Sequence, residues 1–119
     1  NIYAYPPIGE PAGGAHVTAE DLLKFIIAVR EGRLLDAELT EDFMTPQVEH
    51  PDGEWYGLGL VFDVRDDGTV RSYYKDGENP GVSGIVRHYV DEDVDVVVLS
   101  NTQEGAWPII ADIDSRFAD

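Results

Sequence analysis

Residues 72–84, SYYKDGENPGVSG, admit three readings: a serine with a lysine three positions on, a Lys-x-Gly edge facing a ligand, or a connection between two strands. The flanking sequence decides among them. From Trp55 apolar residues alternate in WYGLGLVFDVR, DDG supplies a turn, and TVRSYYK returns, the pattern of an antiparallel hairpin. GVSGIVRHYV and VDVVVLSN then flank the acidic turn DED and predict a second hairpin, whose last strand is apolar enough to be central in a sheet. On a strand, an offset of three puts Ser72 and Lys75 on opposite faces. The Ser-x-x-Lys pairing, in which a helical lysine activates a serine three residues away, therefore fails here.

Upstream of the hairpins the period changes to that of helices. In VTAEDLLKFIIAVREGR, Thr18 can cap with Asp21, Val17 and Leu22 form a staple, and Leu22, Phe25, Ile26 and Val29 make one apolar face that stops at Gly32. DAELTEDFMTPQ reads as a shorter helix capped by Asp36, burying Leu39 and Phe43 and ended by Pro46, with loop from there to Gly53. Residues 1–16, rich in proline and glycine without periodicity, predict an extended arm. At the other end AWPIIADIDSRFA has Pro108 near a helix start and Ile109, Ile110, Ile113 and Phe117 on one stripe. The expected fold is α+β: an antiparallel sheet of about four strands with two N-terminal helices and a C-terminal helix packed on it.

A chain of 119 residues is expected to form one domain, burying about two-thirds of its unfolded surface without disulfides, and it contains no cysteine. No run of about 18 apolar residues and no basic-then-apolar leader is present, so a soluble chain without a membrane span is expected. It begins at Asn1, as a mature product or a piece of a longer protein would. The charge is the dominant compositional fact. Twenty-four Asp and Glu stand against eight Lys and Arg, only Lys24 and Lys75 being lysine, for a net charge of −16. Such a surface repels phosphate backbones and anionic bilayers, which excludes nucleic acid as a partner. It also fits adaptation to high salt, where screening removes carboxylate self-repulsion.

Other chemical motifs are weak. GVSG around Ser83 falls one position short of Gly-x-Ser-x-Gly and lacks the helix that a nucleophile elbow requires. His16, His50 and His88 are scattered and read as structural or surface residues. Asp91, Asp93 and Asp95 open like a calcium loop, but Val96 and Thr102 stand where an EF-hand needs Gly and Glu. No metal or cofactor site is expected.

Taken in order, PAGGAHVTAEDLLKFIIAVREGRLLDAELTEDFMTPQ, YGLGLVF, KDGENPGVSGIVRHYVDEDVDVVVLSN and a final helix resemble the C-terminal part of the serine β-lactamase-like superfamily. The branch is that of class C β-lactamases, D-alanyl-D-alanine carboxypeptidases and related esterases. The likeness covers roughly residues 10–118, and its most specific pieces are the PAGG...TAEDL helix entry, YGLGL, NPGVSG and VVVLSN. It implies a partial β-lactamase/transpeptidase-like fold in which the chain is the C-terminal portion of a longer catalytic domain. It also implies that Lys75, Asp76 and Gly77 stand where the family places Lys-Thr-Gly or His-x-Gly along one wall of the active site. Lysine there can hold a substrate carboxylate, glycine admits close approach, and the Glu78 backbone N–H would serve the oxyanion hole. Asp76 and Asn79 are the accompanying substrate-binding candidates.

Two departures qualify that picture. The family's helical Ser-x-x-Lys and its Tyr-x-Asn lie upstream of the helix entry and have no equivalent in this sequence, so the chain by itself should form no acyl-enzyme. Asp76 replaces a Thr or small residue and would repel the carboxylate of a penicillin-like substrate. The expected function is thus that of a hydrolase fragment acting on a small or peptide-like substrate in a longer protein. The alternative is a binding module whose exposed sheet edge invites a homodimer. The salt reading has a direct check: the melting temperature should rise steeply between low and molar KCl, and a flat response would remove it.

Overall fold

The hairpin formed by residues 70–89 is the element around which the rest is arranged in this computed structural model, which describes residues 13–117. Residues 1–12 of the expected arm lie outside the described residues. In chain order come helices α1 (Ala19–Arg30) and α2 (Ala37–Phe43) and strands β1 (Val48–Glu49), β2 (Trp55–Tyr56) and β3 (Val61–Val64). Strands β4 (Val70–Asn79), β5 (Val82–Tyr89) and β6 (Val94–Ser100) follow, and helix α3 (Trp107–Phe117) comes last. The strands form one antiparallel sheet in the order β1-β2-β3-β4-β5-β6, so the chain meanders across it without a crossover.

Six strands replace the expected four. WYGLGLVFDVR does not run straight: it folds back so that Trp55 pairs with Phe62 and Tyr56 with Val61, the turn being closed by Gly57 N–H donating to Leu60 O at 2.8 Å. Glycine permits this, because a Cβ at Gly57 would stand 2.7 Å from the Phe62 ring and one at Gly59 2.7 Å from the Phe43 ring. The segment expected as loop before Gly53 contributes β1, a two-residue strand too short to show alternation.

Because consecutive strand residues point to opposite faces, the sheet feeds two cores. Phe62, Tyr73 and Val86 pack with Ile26 of α1 and with Leu60 on one face. Val61, Tyr74, Ile85 and Val98 pack with Ala106 and with Ile110 of α3 on the other. The capping box of α1 forms as expected, Thr18 Oγ1 accepting from Asp21 N–H at 3.1 Å and Asp21 Oδ2 accepting from Thr18 N–H at 3.3 Å. Asp36 caps α2 through Leu39 N–H at 2.9 Å. The apolar stripes are narrower than expected, with Phe25, Leu39 and Ile109 all exposed. Phe25 and Ile109 each directly precede a buried residue of their helix, Ile26 and Ile110, and one residue is a 100° rotation away from the core.

The last turn of α1 is tied to the sheet by charge. Arg30 grips Asp95 with two hydrogen bonds of 2.8 and 3.0 Å and also donates to Tyr73 Oη at 3.3 Å. His88, 5 % exposed, sits with Nδ1 2.9 Å from the Arg30 guanidinium and 3.0 Å from Asp95. Burial pushes the Asp95 carboxyl up, but the hydrogen bonds and charge of Arg30, with His88 behind them, outweigh it and hold the group below its ordinary value of 3.8. A depressed folded pKa contributes stability above the unfolded value, and that stability is lost as pH falls through the folded one. Asp95→Asn should therefore cost about 1–3 kcal/mol of urea-unfolding stability at pH 7. The gap to the parent should close as pH drops below about 4, and a gap independent of pH would refute the assignment.

Candidate active site

The two residues Pro80 and Gly81, with Gly81 at φ +80°, join β4 to β5 and pair Asn79 with Val82. Further down the same ladder Val90 N–H donates to Arg71 O at 2.9 Å. In an antiparallel ladder hydrogen-bonded pairs alternate with non-bonded ones, so Arg71, Tyr73, Lys75, Gly77 and Asn79 direct their backbone groups to β5. The even residues Ser72, Tyr74, Asp76 and Glu78 direct theirs the opposite way, toward β3. That strand, however, begins at Val61, opposite Tyr74. Residues Lys75–Asn79 therefore outrun β3, and the N–H and C=O groups of Asp76 and Glu78 face an edge with no partner strand among the described residues. The two N–H groups stand about 7 Å apart along the strand.

Side chains along the overhang divide by the same alternation. Lys75, Gly77 and Asn79 fall on the face of α1, in line with Tyr73, and Asp76 and Glu78 on the face of α3, in line with Tyr74. All five are exposed. Lys75 forms no ion pair among the described residues, which leaves its ammonium available to a ligand. Gly77 has nothing within 4 Å of where a Cβ would stand and no positive φ. Neither packing nor backbone strain in the described residues asks for glycine there, and the space above it is open.

The surroundings of the overhang are acidic. Tyr74, the residue before Lys75, donates from Oη to Glu54 Oε1 and stacks under the Arg87 guanidinium, 4.4 Å from the ring centre. Burial, then that hydrogen bond and the charges of Glu54 and Asp76, push the Tyr74 phenol far up. Burial and the carboxylates of Glu54, Asp52 and Asp76 push the Tyr56 phenol up as well. Asp76 thus adds to a negative field that Lys75 opposes from the next position. The Tyr74–Glu54 bond had no sequence signal, because its partners are twenty residues apart in different strand regions.

The remaining candidates are drawn away from the edge. Ser72 is 1 % exposed and Lys75 exposed on the opposite face, as the strand periodicity requires. Ser83, 0 % exposed, donates from Oγ to Thr102 O at 2.8 Å and accepts from Ala106 N–H at 3.1 Å, which makes it a pin between β5 and the following loop. Asp91 pairs with Arg65 and Asp95 with Arg30, and among the described residues no group of three or more His, Asp or Glu is placed to hold a metal ion. Cavities of about 350 Å³ beside Asp63, Ser72, Tyr89 and Asp114, and of about 700 Å³ beside Leu35, Met44 and His88, lie elsewhere. Among the described residues the overhang is an open surface. Among the described residues no helix is long and apolar enough to cross a membrane.

A family model described as Beta-lactamase matches residues 1–117. Among solved structures the chain is similar to the crystal structure of a penicillin binding protein from Bacillus halodurans, with 35% sequence identity and a TM-score of 0.90 over 98% of this chain. It spans 35% of that protein's chain. No curated protein matches. Given the environments of Ser72 and Ser83, a fluorophosphonate probe should label neither in the folded chain, as read by mass spectrometry of the digested product. Modification of either serine would reinstate it as a nucleophile.

Proposed function

The chain belongs to the beta-lactamase family, and on that premise we propose that it supplies one wall of a serine hydrolase active site whose nucleophile is carried by sequence outside these residues. The observation that carries the reading is the overhang of β4 past β3, which leaves backbone donors and acceptors without a partner strand among the described residues, beside an exposed lysine. An extended substrate can add to this edge as a further strand, exchanging hydrogen bonds with Asp76 and Glu78. In that pose the Glu78 N–H serves as an oxyanion donor for the tetrahedral intermediate of acyl transfer. Lys75 holds a substrate carboxylate, Gly77 lets the substrate approach, and Asn79 flanks it at the hairpin end. Without a positioned nucleophile this chain alone does not turn over substrate.

Asp76 sets the expected specificity. Its carboxylate, one position from Lys75 though on the other face of the strand, still weakens the positive potential along this edge that a penicillin carboxylate needs. Esters, or amides without a carboxylate at that point, are therefore favoured over lactam antibiotics. The large excess of surface carboxylates suits work at high salt.

One observation supports a second reading. β6 is apolar on both faces yet ends the sheet, its outer edge has no partner strand among the described residues, and Leu99 is exposed beside it. A non-catalytic module could dimerise through that edge. Light scattering of the isolated chain separates the two: a concentration-dependent dimer that pairs along β6 supports the module, and a monomer removes it.

For the hydrolase the decisive assay uses the protein that contains both this chain and the nucleophile. Lys75→Ala should lower kcat/KM about 10- to 100-fold, the worth of one hydrogen bond to a charged group. Asp76→Thr should raise the rate of acylation by a fluorescent penicillin. Unchanged kinetics in both variants would sink the reading.

A further inference from the structure

We propose that Trp107 and Gln103 are positioning residues that act through the Glu78 carboxylate to hold the Glu78 N–H toward the open edge of β4. The inference rests on the reading of that edge as an oxyanion-binding wall. It starts from a mechanical problem. A strand segment bonded on one side only is free to twist and fray, yet a useful oxyanion donor must be held within about 0.5 Å.

Glu78 is the one residue of the overhang with a fastened side chain among the bonds of the described residues. Its Oε1 accepts from Gln103 Nε2 at 2.8 Å and its Oε2 from Trp107 Nε1 at 2.8 Å. Both donors come from firm ground. Trp107 opens α3 and packs on the core beside Ala106, 0 % exposed, while the loop before it is gripped by Ser83 through Thr102 O and Ala106 N–H. Ser83 is the register partner of Glu78, so two directly opposed residues on one face hold the same loop from two strands. The loop is also close-packed on itself: a Cβ at Gly105 would stand 2.0 Å from Ser100 Oγ.

The geometry of a strand turns this anchor into alignment. Side chain and N–H leave one residue in roughly perpendicular directions, the former out of the sheet and the latter within its plane. Fixing the carboxylate on the α3 face therefore fixes where the N–H points. Any polar side chain could accompany a backbone oxyanion donor, but one that accepts two hydrogen bonds at once from an indole and an amide is selective for a carboxylate. Releasing the anchor lets the N–H drift, and a displacement near 1 Å can cost up to about 100-fold in rate.

The test uses the nucleophile-bearing protein with Trp107→Phe, which keeps the ring and removes the donor, and Gln103→Ala, an exposed position whose loss leaves the fold intact. Each should lower kcat about 3- to 10-fold with KM within about twofold, since the donor acts in the transition state. The double variant should lose no more than Glu78→Ala, and Glu78→Gln, keeping one acceptor, should recover part of the loss. The backbone order parameter of the Glu78 amide, measured by NMR relaxation in the present chain, should fall in both single variants. Unchanged kcat in both, alongside a loss in Lys75→Ala, would overturn the clamp and leave the wall standing. If Lys75→Ala also has no effect, the wall reading fails, and a Glu78 amide order parameter unaltered by Trp107→Phe then overturns the clamp as well.

Discussion

The register of the β4–β5 hairpin is the constraint on which the rest depends. It is set at Pro80-Gly81 and carried without a slip from Asn79 opposite Val82 to Ser72 opposite Tyr89. A slip of β4 by one residue against β5 would exchange the two faces of β4. Tyr73 would leave the α1 core, Tyr74 the α3 core, and the N–H of Glu78 would turn from the edge into the ladder. The two-residue period of β4 separates Ser72 from Lys75. Core packing and candidate chemistry are therefore consequences of one pairing, and burial of two apolar faces stabilises the arrangement that also exposes the edge.

Polar groups complete what apolar packing leaves undetermined. On the α1 face Arg30 and Asp95, with His88 and Tyr73, fix where the helix end sits on β5 and β6. On the α3 face Arg87 and Tyr89 converge on Asp114, and Ser83 and Glu78 hold the loop that leads into the helix. Each helix is thus positioned by directional bonds as well as by its apolar stripe, which is narrow in both cases. An unpaired strand edge is ordinarily a liability for aggregation. Here it carries Lys75, Asp76 and Glu78, charges that discourage pairing with another copy while leaving the backbone open to a substrate of suitable charge.

Much of this was legible in the residues themselves. Alternation identified the strands through 70–100, the Thr18/Asp21 box and Asp36 announced two helix starts, and the strand period alone dismissed Ser72 with Lys75. Resemblance pointed to Lys75–Glu78, and its motifs were long enough to indicate the family. These features are local, since periods of 2 and 3.6 and capping spacings act within a few residues and need no knowledge of distant neighbours.

What escaped the sequence was contributed by residues far apart. The fold-back within WYGLGLVFDVR depends on Phe62 and Phe43 occupying the space over two glycines, and the exposure of Phe25, Leu39 and Ile109 depends on how each helix is rolled against the sheet. Among the described residues the edge is left without a partner strand because β3 starts opposite Tyr74 while β4 continues to Asn79, a difference in strand length that no single strand encodes. The Glu78 anchor joins positions 25 and 29 residues apart. By itself the sequence determined the three helices and the strands from residue 70 to 100, and which face each of those strand residues takes, because those follow from backbone periodicity. Only the tertiary structure decided which backbone groups stay unpaired and which side chains hold them, because hydrogen-bond partners are fixed when separate elements meet.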